Sequence, residues 1–287
     1  MNAQHTAGLV RFHRSVGLNV RRRRIPRQRY PKSIEMEYGK AIVALVQHAR
    51  TAYAPLLTEL PALLARVAVA RQDDNTGESD AQRARRLIAE ATMRLEHAIR
   101  PADIEALAHR FATRTEQFQK GQLQKQVRAA LGVDVAASDA KIPTLVEHFV
   151  AQNLSLIKSI PADMSTRLDK SVTQAFTTGQ RHEDLAREIQ ARFDIGERHA
   201  RLIARDQCGK LFGQVAASRH QSIGITKFEW SAIMDERTRP EHEDLNGQVF
   251  SYDNLPDEGL PGEPVCCRCG QQPIFDDILD ALDSEDD

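Results

Sequence analysis

Residues 142–160 have the sequence IPTLVEHFVAQNLSLIKSI, the clearest amphipathic pattern in the chain. Its apolar residues recur at steps of three, one and four, the spacing that places side chains on one face of an α-helix. The residues of this stripe are Ile142, Leu145, Val146, Phe149, Val150, Leu154, Ile157 and Ile160. Because such a face has to be buried, the stretch predicts a helix in a packed helical body, and Pro161 is expected to end it.

Helical spacing continues on both sides of this stretch. Pro55 and Pro61 are expected to break or bend the first helix of the series, because proline cannot donate a helical hydrogen bond. Pro101 suits the first turn of a later helix, where its missing amide hydrogen costs nothing. The predicted helices cover about residues 34–70, 81–99, 101–131, 142–160, 164–179, 185–193 and 197–222.

The pattern changes after Gly224. Phe228, Trp230 and Ala232 recur at a period of two, which indicates a strand, and residues 248–252 are a candidate second strand. The aromatic fraction is only 5%, which favours helices over sheet. The expected fold class is mainly α, with a helical body, a small α+β C-terminal domain, a disordered basic N-terminal arm and an acidic C-terminal tail. The predicted domains are the arm 1–33, a helical N-terminal region 34–139, a C-terminal domain 140–275 and the tail 276–287.

The two ends of the chain differ strongly in charge, although the formal net charge is −1. From Arg11 to Lys32 there are nine Lys or Arg and no acid, and from Asp276 to Asp287 there are seven acids and no base. A basic arm is typical of a segment that contacts a polyanion such as double-stranded DNA, and the alternative is a solvated, disordered end. The acidic tail is interpreted as a solvated end. The candidate DNA-binding residues are Arg11, Arg14, Arg21, Arg22, Arg23, Arg24, Arg27, Arg29 and Lys32.

The composition also bears on the compartment. No apolar run approaches the roughly 20 residues that span a bilayer, so no membrane-spanning segment is expected. The N-terminal residues lack the apolar stretch of a secretory signal, which favours folding in a reducing cytosol. Four cysteines, three of them within residues 266–269, are too few and too clustered for a secreted disulfide framework.

Three of the residues near the C-terminus form a candidate zinc site. Cys267 and Cys269 are two residues apart, so in a strand their sulfurs would point the same way, and His242 lies 25 residues before Cys267. With Asp235 or Cys266 as one more group, these residues would give the four ligands that zinc prefers. The alternative is that the thiols are buried or redox-idle, since a C-x-C pair is a weaker signature than paired C-x-x-C motifs.

Residues 235–242, DERTRPEH, form a dense polar segment after the first predicted strand. Its alternating acids and arginines predict a hairpin or loop held by bidentate arginine–carboxylate bonds. The alternative is a solvated charged loop, because exposed ion pairs are common and weak. Arg205 is expected at a helix surface, whereas Cys208 falls on an apolar helix face and is expected in the core.

Together these segments resemble the phage Mu F-like head morphogenesis domain over about residues 140–275. The resemblance rests on the order and spacing of the motifs IARDQ at 203–207, GI at 224–225, EW at 229–230, DERTRPEH at 235–242, LNG at 245–247, PGEP at 261–264 and CRC at 267–269. The positions that recur in the family map here onto Arg205, Trp230, Asp235, Arg237, Arg239, His242, Gly247, Cys267 and Cys269. Cys266 departs from the pattern, because the family usually has Asn or another polar residue there.

The resemblance implies a minor capsid protein of a tailed bacteriophage, needed for head morphogenesis and associated with the portal. Its expected partners are the portal protein, the capsid or scaffold, and double-stranded DNA during packaging or ejection. Its expected location is the phage head, assembled in the host cytoplasm. No catalytic residue is assigned, and the chain is not expected to be an enzyme. The alternative is a metal-dependent nuclease or other phage-encoded enzyme that uses the region of Asp235, His242, Cys267 and Cys269.

Overall fold

The structure is a computed structural model that describes residues 3–15, 24–69, 80–178 and 180–283. It is 72% helical, with eight helices and one three-stranded sheet within these ranges, which confirms a mainly α fold with a small α+β C-terminal part. The elements are α1 (Ala3–Ser15), α2 (Lys32–Val69), α3 (Asp80–Ala98), α4 (Pro101–Leu131), α5 (Ile142–Thr178), α6 (His182–Ser222), β1 (Lys227–Ser231), α7 (Pro240–Leu245), β2 (Val249–Ser251), β3 (Gly270–Ile274) and α8 (Asp276–Asp283). None of these helices is long and apolar enough to cross a membrane.

Two predicted helix ends are wrong, because the helices continue through them. Helix α5 continues past residue 161, and the residues on both sides of it, Ile157, Ile160, Met164 and Leu168, are all buried. Burial of a continuous apolar stripe stabilises the helix and offsets the loss of the one hydrogen bond that a proline cannot donate. Helix α6 likewise continues through Gly196, where an added Cβ would lie 3.1 Å from Met164 Sδ. Gly196 therefore permits close packing rather than ending a helix. Helix α2 also continues through Pro55 and Pro61.

The chain divides into two compact units. Unit 2 comprises Met36–Ala108 and Ala151–Ala204 and consists of helices. In its core the hydroxyl of Tyr38 donates to Asn153 Oδ1 at 2.8 Å, and Tyr53 packs against Phe193 with ring centroids 6.4 Å apart. The buried aromatic residues thus join helices that lie far apart in sequence.

Unit 1 comprises Met1–Glu35, His109–Val150 and Arg205–Asp287, and it contains the sheet. The strand order is β2-β1-β3, and both pairings are antiparallel, with Phe228 opposite Phe250 and Trp230 opposite Gln271. Phe228 and Trp230 on the central strand are fully buried, as the period of two indicates. The sheet is the framework from which the loops of the candidate site extend.

Parts of the two charged ends are ordered helices, which corrects the expectation of a disordered arm and tail for residues 3–15 and 276–283. Helix α1 packs against α8, and Ala7 and Val10 are buried in one cluster with Phe275 and Ile278. The hydroxyl of Thr6 donates to the carbonyl of Ile223 at 2.7 Å. The physical reason is that each charged segment also contains apolar residues at helical spacing, which bury one face while the charges stay on the other.

A second part of the basic arm, residues 24–31, is an extended segment. Glutamine side chains hold it by hydrogen bonds, and we name this set of side chains the glutamine clamp. Gln28 is buried, and its Oε1 accepts a hydrogen bond from the backbone N–H of Gln271 at 2.6 Å. The amide of Gln122 contacts both backbone groups of Arg29, at 2.6 and 3.0 Å. The clamp consists of Gln28, Gln122, Gln126, Gln271 and Gln272. Amide side chains thus replace the hydrogen bonds that a strand or helix would provide.

Candidate functional site

His242, Cys267 and Cys269 lie together in unit 1 and are all buried; we name them the His–Cys cluster. Short helix α7 places His242, and it begins where Pro240 follows the extended backbone of Arg239. The cysteines immediately precede β3, whose pairing with β1 sets their position. The imidazole of His242 packs edge-on against the indole of Trp230, with ring centroids 5.3 Å apart. Trp230 also belongs to one buried hydrophobic group with Cys267 and Cys269.

The ligand-type atoms of the cluster face one another. His242 Nδ1 lies 3.6 Å from Cys267 Sγ and 3.4 Å from Cys269 Sγ. The other imidazole nitrogen, Nε2, lies 3.3 Å from Glu258 Oε2. Cys267 Sγ also accepts hydrogen bonds from the backbone N–H groups of Gly262 and Cys269, each at 3.4 Å. The arrangement therefore directs one nitrogen and two sulfurs to a single point in the protein interior.

The electrostatics of the two thiols favour one thiolate. Donation from the Cys269 thiol, with help from the backbone amides, lowers the pKa of Cys267 to about 6 although burial opposes the shift. The same hydrogen bond, together with burial, raises the pKa of Cys269. Of the two thiols, Cys267 is thus the one that loses its proton more readily.

Asp235 and Cys266, the two residues considered as a fourth ligand, do not belong to the cluster. Arg268 donates to both carboxylate oxygens of Asp235, which holds the pKa of Asp235 at about 2. The same carboxylate accepts from the backbone N–H of Arg237 at 3.1 Å. Cys266 has a left-handed backbone with φ 57, and its N–H donates to Asp206 Oδ1 at 3.0 Å. Both residues therefore fix the loops on either side of the cluster.

Two glycines of α6 allow the loop before the cysteines to approach the helix directly. A Cβ on Gly209 would lie 2.3 Å from the carbonyl oxygen of Cys267, and one on Gly213 would lie 2.2 Å from that of Pro261. In the loop, Gly262 has φ +98, which only glycine adopts readily. Sequence reasoning did not identify these contacts. The signal was the spacing of four between Gly209 and Gly213, which places both glycines on one face of the helix.

The cluster lines a cavity of about 110 Å³ with a strongly basic wall. Arg239 donates to the carbonyl of Val265 at 2.6 Å, and Arg205 forms an ion pair with Glu35 at 3.3 Å. The arginines on the wall are Arg205, Arg237, Arg239 and Arg268. Arg205 is paired with Glu35 and Arg268 with Asp235, so the remaining positive charge of this wall comes from Arg237 and Arg239, and it favours an anionic occupant.

The structure also places the other residues predicted as parts of the motif. Trp230 is fully buried, and its indole N–H interacts with the Cys269 thiol. Gly247 has φ +82 in the turn before β2, where its N–H donates to the carbonyl of Trp230 at 2.8 Å. A buried network was not predicted: His220 Nδ1 lies 2.6 Å from the Tyr252 hydroxyl, which donates to Gln271 at 3.0 Å.

The candidate DNA-binding residues have different surroundings. Arg24, Arg27, Arg29 and Lys32 are exposed along and beside the segment held by the glutamine clamp. Arg11 belongs to α1, is half-buried, and donates to the carbonyl of Ala281 in α8. Arg21, Arg22 and Arg23 lie outside the described residues, as does the side chain of Arg14. Among the residues that the structure describes, the cationic surface of the arm is thus confined to residues 24–32.

Comparison with known proteins relates the region that contains this site to a known family. Residues 166–272 match the family model described as Phage Mu protein F like protein. This is a structural family of phage head morphogenesis. Residues 166–272 are therefore similar to the phage Mu F-like family.

One relative extends the similarity beyond this region. An uncharacterized protein of Haemophilus influenzae is 33% identical over 205 residues, which cover 69% of this chain and 46% of that protein. The chain therefore spans less than half the length of this relative. No solved structure matches the chain.

Proposed function

We propose that the protein is a minor component of a tailed-bacteriophage head that acts in head morphogenesis at the portal. The observation that carries this proposal is the Mu F-like match over residues 166–272. The match includes β1, α7, β2, the first three residues of β3 and the whole His–Cys cluster, so the part of the chain that resembles head proteins contains the candidate site. The expected partners are the portal protein and the capsid or scaffold.

The geometry of the site argues against a nuclease centre built on Asp235 and His242. A nuclease centre would need Asp235 and His242 to share a metal ion and a water molecule. Asp235 is instead held by Arg268 in two hydrogen bonds, and it lies outside the His–Cys cluster. The polar groups around the cluster join loops to one another and hold them in fixed positions. A surface that docks onto another protein requires such fixed loops.

Contact with double-stranded DNA is part of the same proposal. The side chains of Arg24, Arg27, Arg29 and Lys32 form no ion pair within the described residues, and the glutamine clamp holds their backbone in place. An ordered row of exposed cations neutralises phosphates without reading bases, so binding is expected to be independent of DNA sequence.

The test of the assembly role is the composition of purified particles. Quantitative mass spectrometry of virions and procapsids should find the protein in few copies, and cross-linking should join it to the portal protein. Loss of the protein should lower the yield of filled, infectious heads. Particles that contain none of it, with unchanged head yield and infectivity when it is deleted, would contradict the proposal.

A further inference from the structure

The two nitrogens of His242 have different partners, and this difference points to a ligand. A neutral imidazole has one N–H, and the contact of Nε2 with Glu258 at 3.3 Å identifies that nitrogen as its donor. Nδ1 then has a lone pair directed between Cys267 Sγ and Cys269 Sγ. A carboxylate behind an imidazole whose other nitrogen faces soft donors is the usual surrounding of a metal-bound histidine.

The distances within the His–Cys cluster agree with one bound ion. Zinc bonds of about 2.3 Å to sulfur and 2.0–2.1 Å to nitrogen, at tetrahedral angles, separate a nitrogen and a sulfur ligand by about 3.6 Å. The separations between His242 Nδ1 and the two sulfurs are 3.6 and 3.4 Å, and all three ligand atoms lie within 4.8 Å of one another. Two backbone N–H groups, from Gly262 and Cys269, point at Cys267 Sγ and would stabilise it as a metal-bound thiolate.

We propose that His242 Nδ1, Cys267 Sγ and Cys269 Sγ bind one Zn²⁺ ion, whose fourth position faces the arginine-lined cavity and accepts an oxygen ligand. Two thiolates and an imidazole select zinc over magnesium or calcium, which prefer oxygen ligands. Neither Asp235 nor Cys266 belongs to the cluster, so three protein ligands leave one coordination position. Arg237 and Arg239 lie on the wall of the same cavity and favour an anionic oxygen there, such as hydroxide, a carboxylate or a phosphate.

The first experiment measures metal content and affinity in the full chain. The protein, purified under reducing conditions without chelator, should contain about one zinc ion per chain. Cys267→Ser, Cys269→Ser and His242→Gln should lose the ion in competition with a chelator. Cys266→Ser is the matched control, because this neighbouring cysteine is outside the cluster, and it should retain wild-type affinity.

A second variant keeps the test decisive if a ligand substitution prevents folding. Glu258 is about a third exposed and contacts only the outer nitrogen of His242, so Glu258→Gln should leave the fold intact and weaken zinc binding by about 10–100-fold. Reduced wild-type protein that fails to bind added Zn²⁺, or equal zinc affinity in Cys266→Ser and Cys267→Ser, would overturn the proposal. So would a Cys267–Cys269 disulfide in protein isolated under those reducing conditions.

The open coordination position has its own test. Replacement of zinc by Co²⁺ should give a sulfur-to-metal charge-transfer band for two thiolates and a visible spectrum typical of four coordination. Adding phosphate in one arm and acetate in the other should change the visible spectrum, and the arm that acts at lower concentration identifies the preferred oxygen anion. A visible spectrum that responds to neither anion would show a fourth ligand from the chain itself and overturn the open position. Each outcome is independent of the proposed role in head assembly.

Discussion

Arg268 donates hydrogen bonds to both carboxylate oxygens of Asp235, at 2.7 and 2.6 Å, across 33 residues of sequence. This contact joins the loop after β1 to the residue between the two cysteines of the His–Cys cluster. Arg268 is largely buried and Asp235 is about a third exposed, so solvent screens the pair only in part.

Asp235→Asn and Arg268→Gln should therefore show coupling in a double-mutant cycle. We expect a coupling free energy of about 1 kcal/mol, because two charge-assisted hydrogen bonds in a partly buried pair are stronger than an exposed ion pair. Trp230 is the only tryptophan, so its fluorescence during urea unfolding reports on unit 1. The control pair is Arg128 and Asp134, which is well exposed in the same unit and should couple more weakly. Equal coupling in the two pairs would contradict the prediction.

Two glycine-to-alanine substitutions should have opposite effects. Gly209→Ala places a methyl group 2.3 Å from the backbone oxygen of Cys267, so the loop must shift, and we expect a loss of about 2–3 kcal/mol in the free energy of unfolding. Gly121 lies in α4 with no atom within 4 Å of an added Cβ. Gly121→Ala should therefore stabilise the protein by up to about 1 kcal/mol. If Gly209→Ala is neutral, the close approach of the loop to α6 is incorrect.

His220 should make unit 1 less stable in mild acid. Burial lowers the pKa of His220 to about 3, whereas an exposed histidine titrates near 6.5. Between these values the unfolded chain binds a proton that the folded chain does not, so this stability is present above about pH 6.5 and is lost as the pH falls. At about pH 5 the loss from this residue is about 2 kcal/mol relative to pH 7.5.

The free energy of unfolding is measured by urea titration at the two pH values. The loss on acidification is then compared between the wild type and His220→Gln. Glutamine does not titrate, so the variant should lose about 2 kcal/mol less than the wild type on acidification. An identical loss in both proteins would show that His220 is protonated normally in the folded state.

The exposed cations beside the glutamine clamp should account for much of the salt dependence of DNA binding. Replacing Arg24, Arg27, Arg29 and Lys32 by Gln removes up to four phosphate contacts, so the log–log slope against salt should become shallower by about 3–4. These positions are preferable to deletion of the whole arm, because α1 is packed into the core.

The matched control removes the same charge from unit 2. Arg85, Lys158, Arg167 and Lys170 are exposed there, and their replacement by Gln should leave the slope unchanged. Fluorescence anisotropy with a short duplex, over a salt series from about 50 mM, distinguishes the two sets of variants. If the arm variant retains the wild-type slope, the arm does not contact the phosphates.

The sequence predicts helices well here because helical periodicity is local, whereas the ends of helices depend on what packs beside them. From the sequence alone, Pro161 and Gly196 indicate helix ends. In the structure both helices continue there, because the residues on either side are packed against neighbours that the sequence does not show. Strand β3 is not predicted because its buried positions are Gln271 and Pro273, so the apolar alternation typical of a strand is absent.

In the candidate site, too, the local sequence pattern is predictable and the contacts between distant residues are not. The short spacing of Cys267 and Cys269 is visible in the sequence, and it leads directly to the pairing of their sulfurs with His242. The contact of Glu258 with His242 Nε2 spans 16 residues of sequence and leaves no local pattern. The two glycine contacts of α6 depend on backbone atoms, which any residue type possesses, so composition could not reveal their partners.

The packing of α1 against α8 has a consequence for synthesis of the protein on the ribosome. Ala7 and Val10 are translated more than 260 residues before Phe275 and Ile278, with which they are buried. Throughout elongation the apolar face of α1 therefore lacks its native cover, and closing so long a loop is slow. An isolated fragment of residues 166–272 would lack α1, α4 and α8 altogether. The segment defined by family similarity is therefore shorter than the segment that must be translated before unit 1 reaches its native packing.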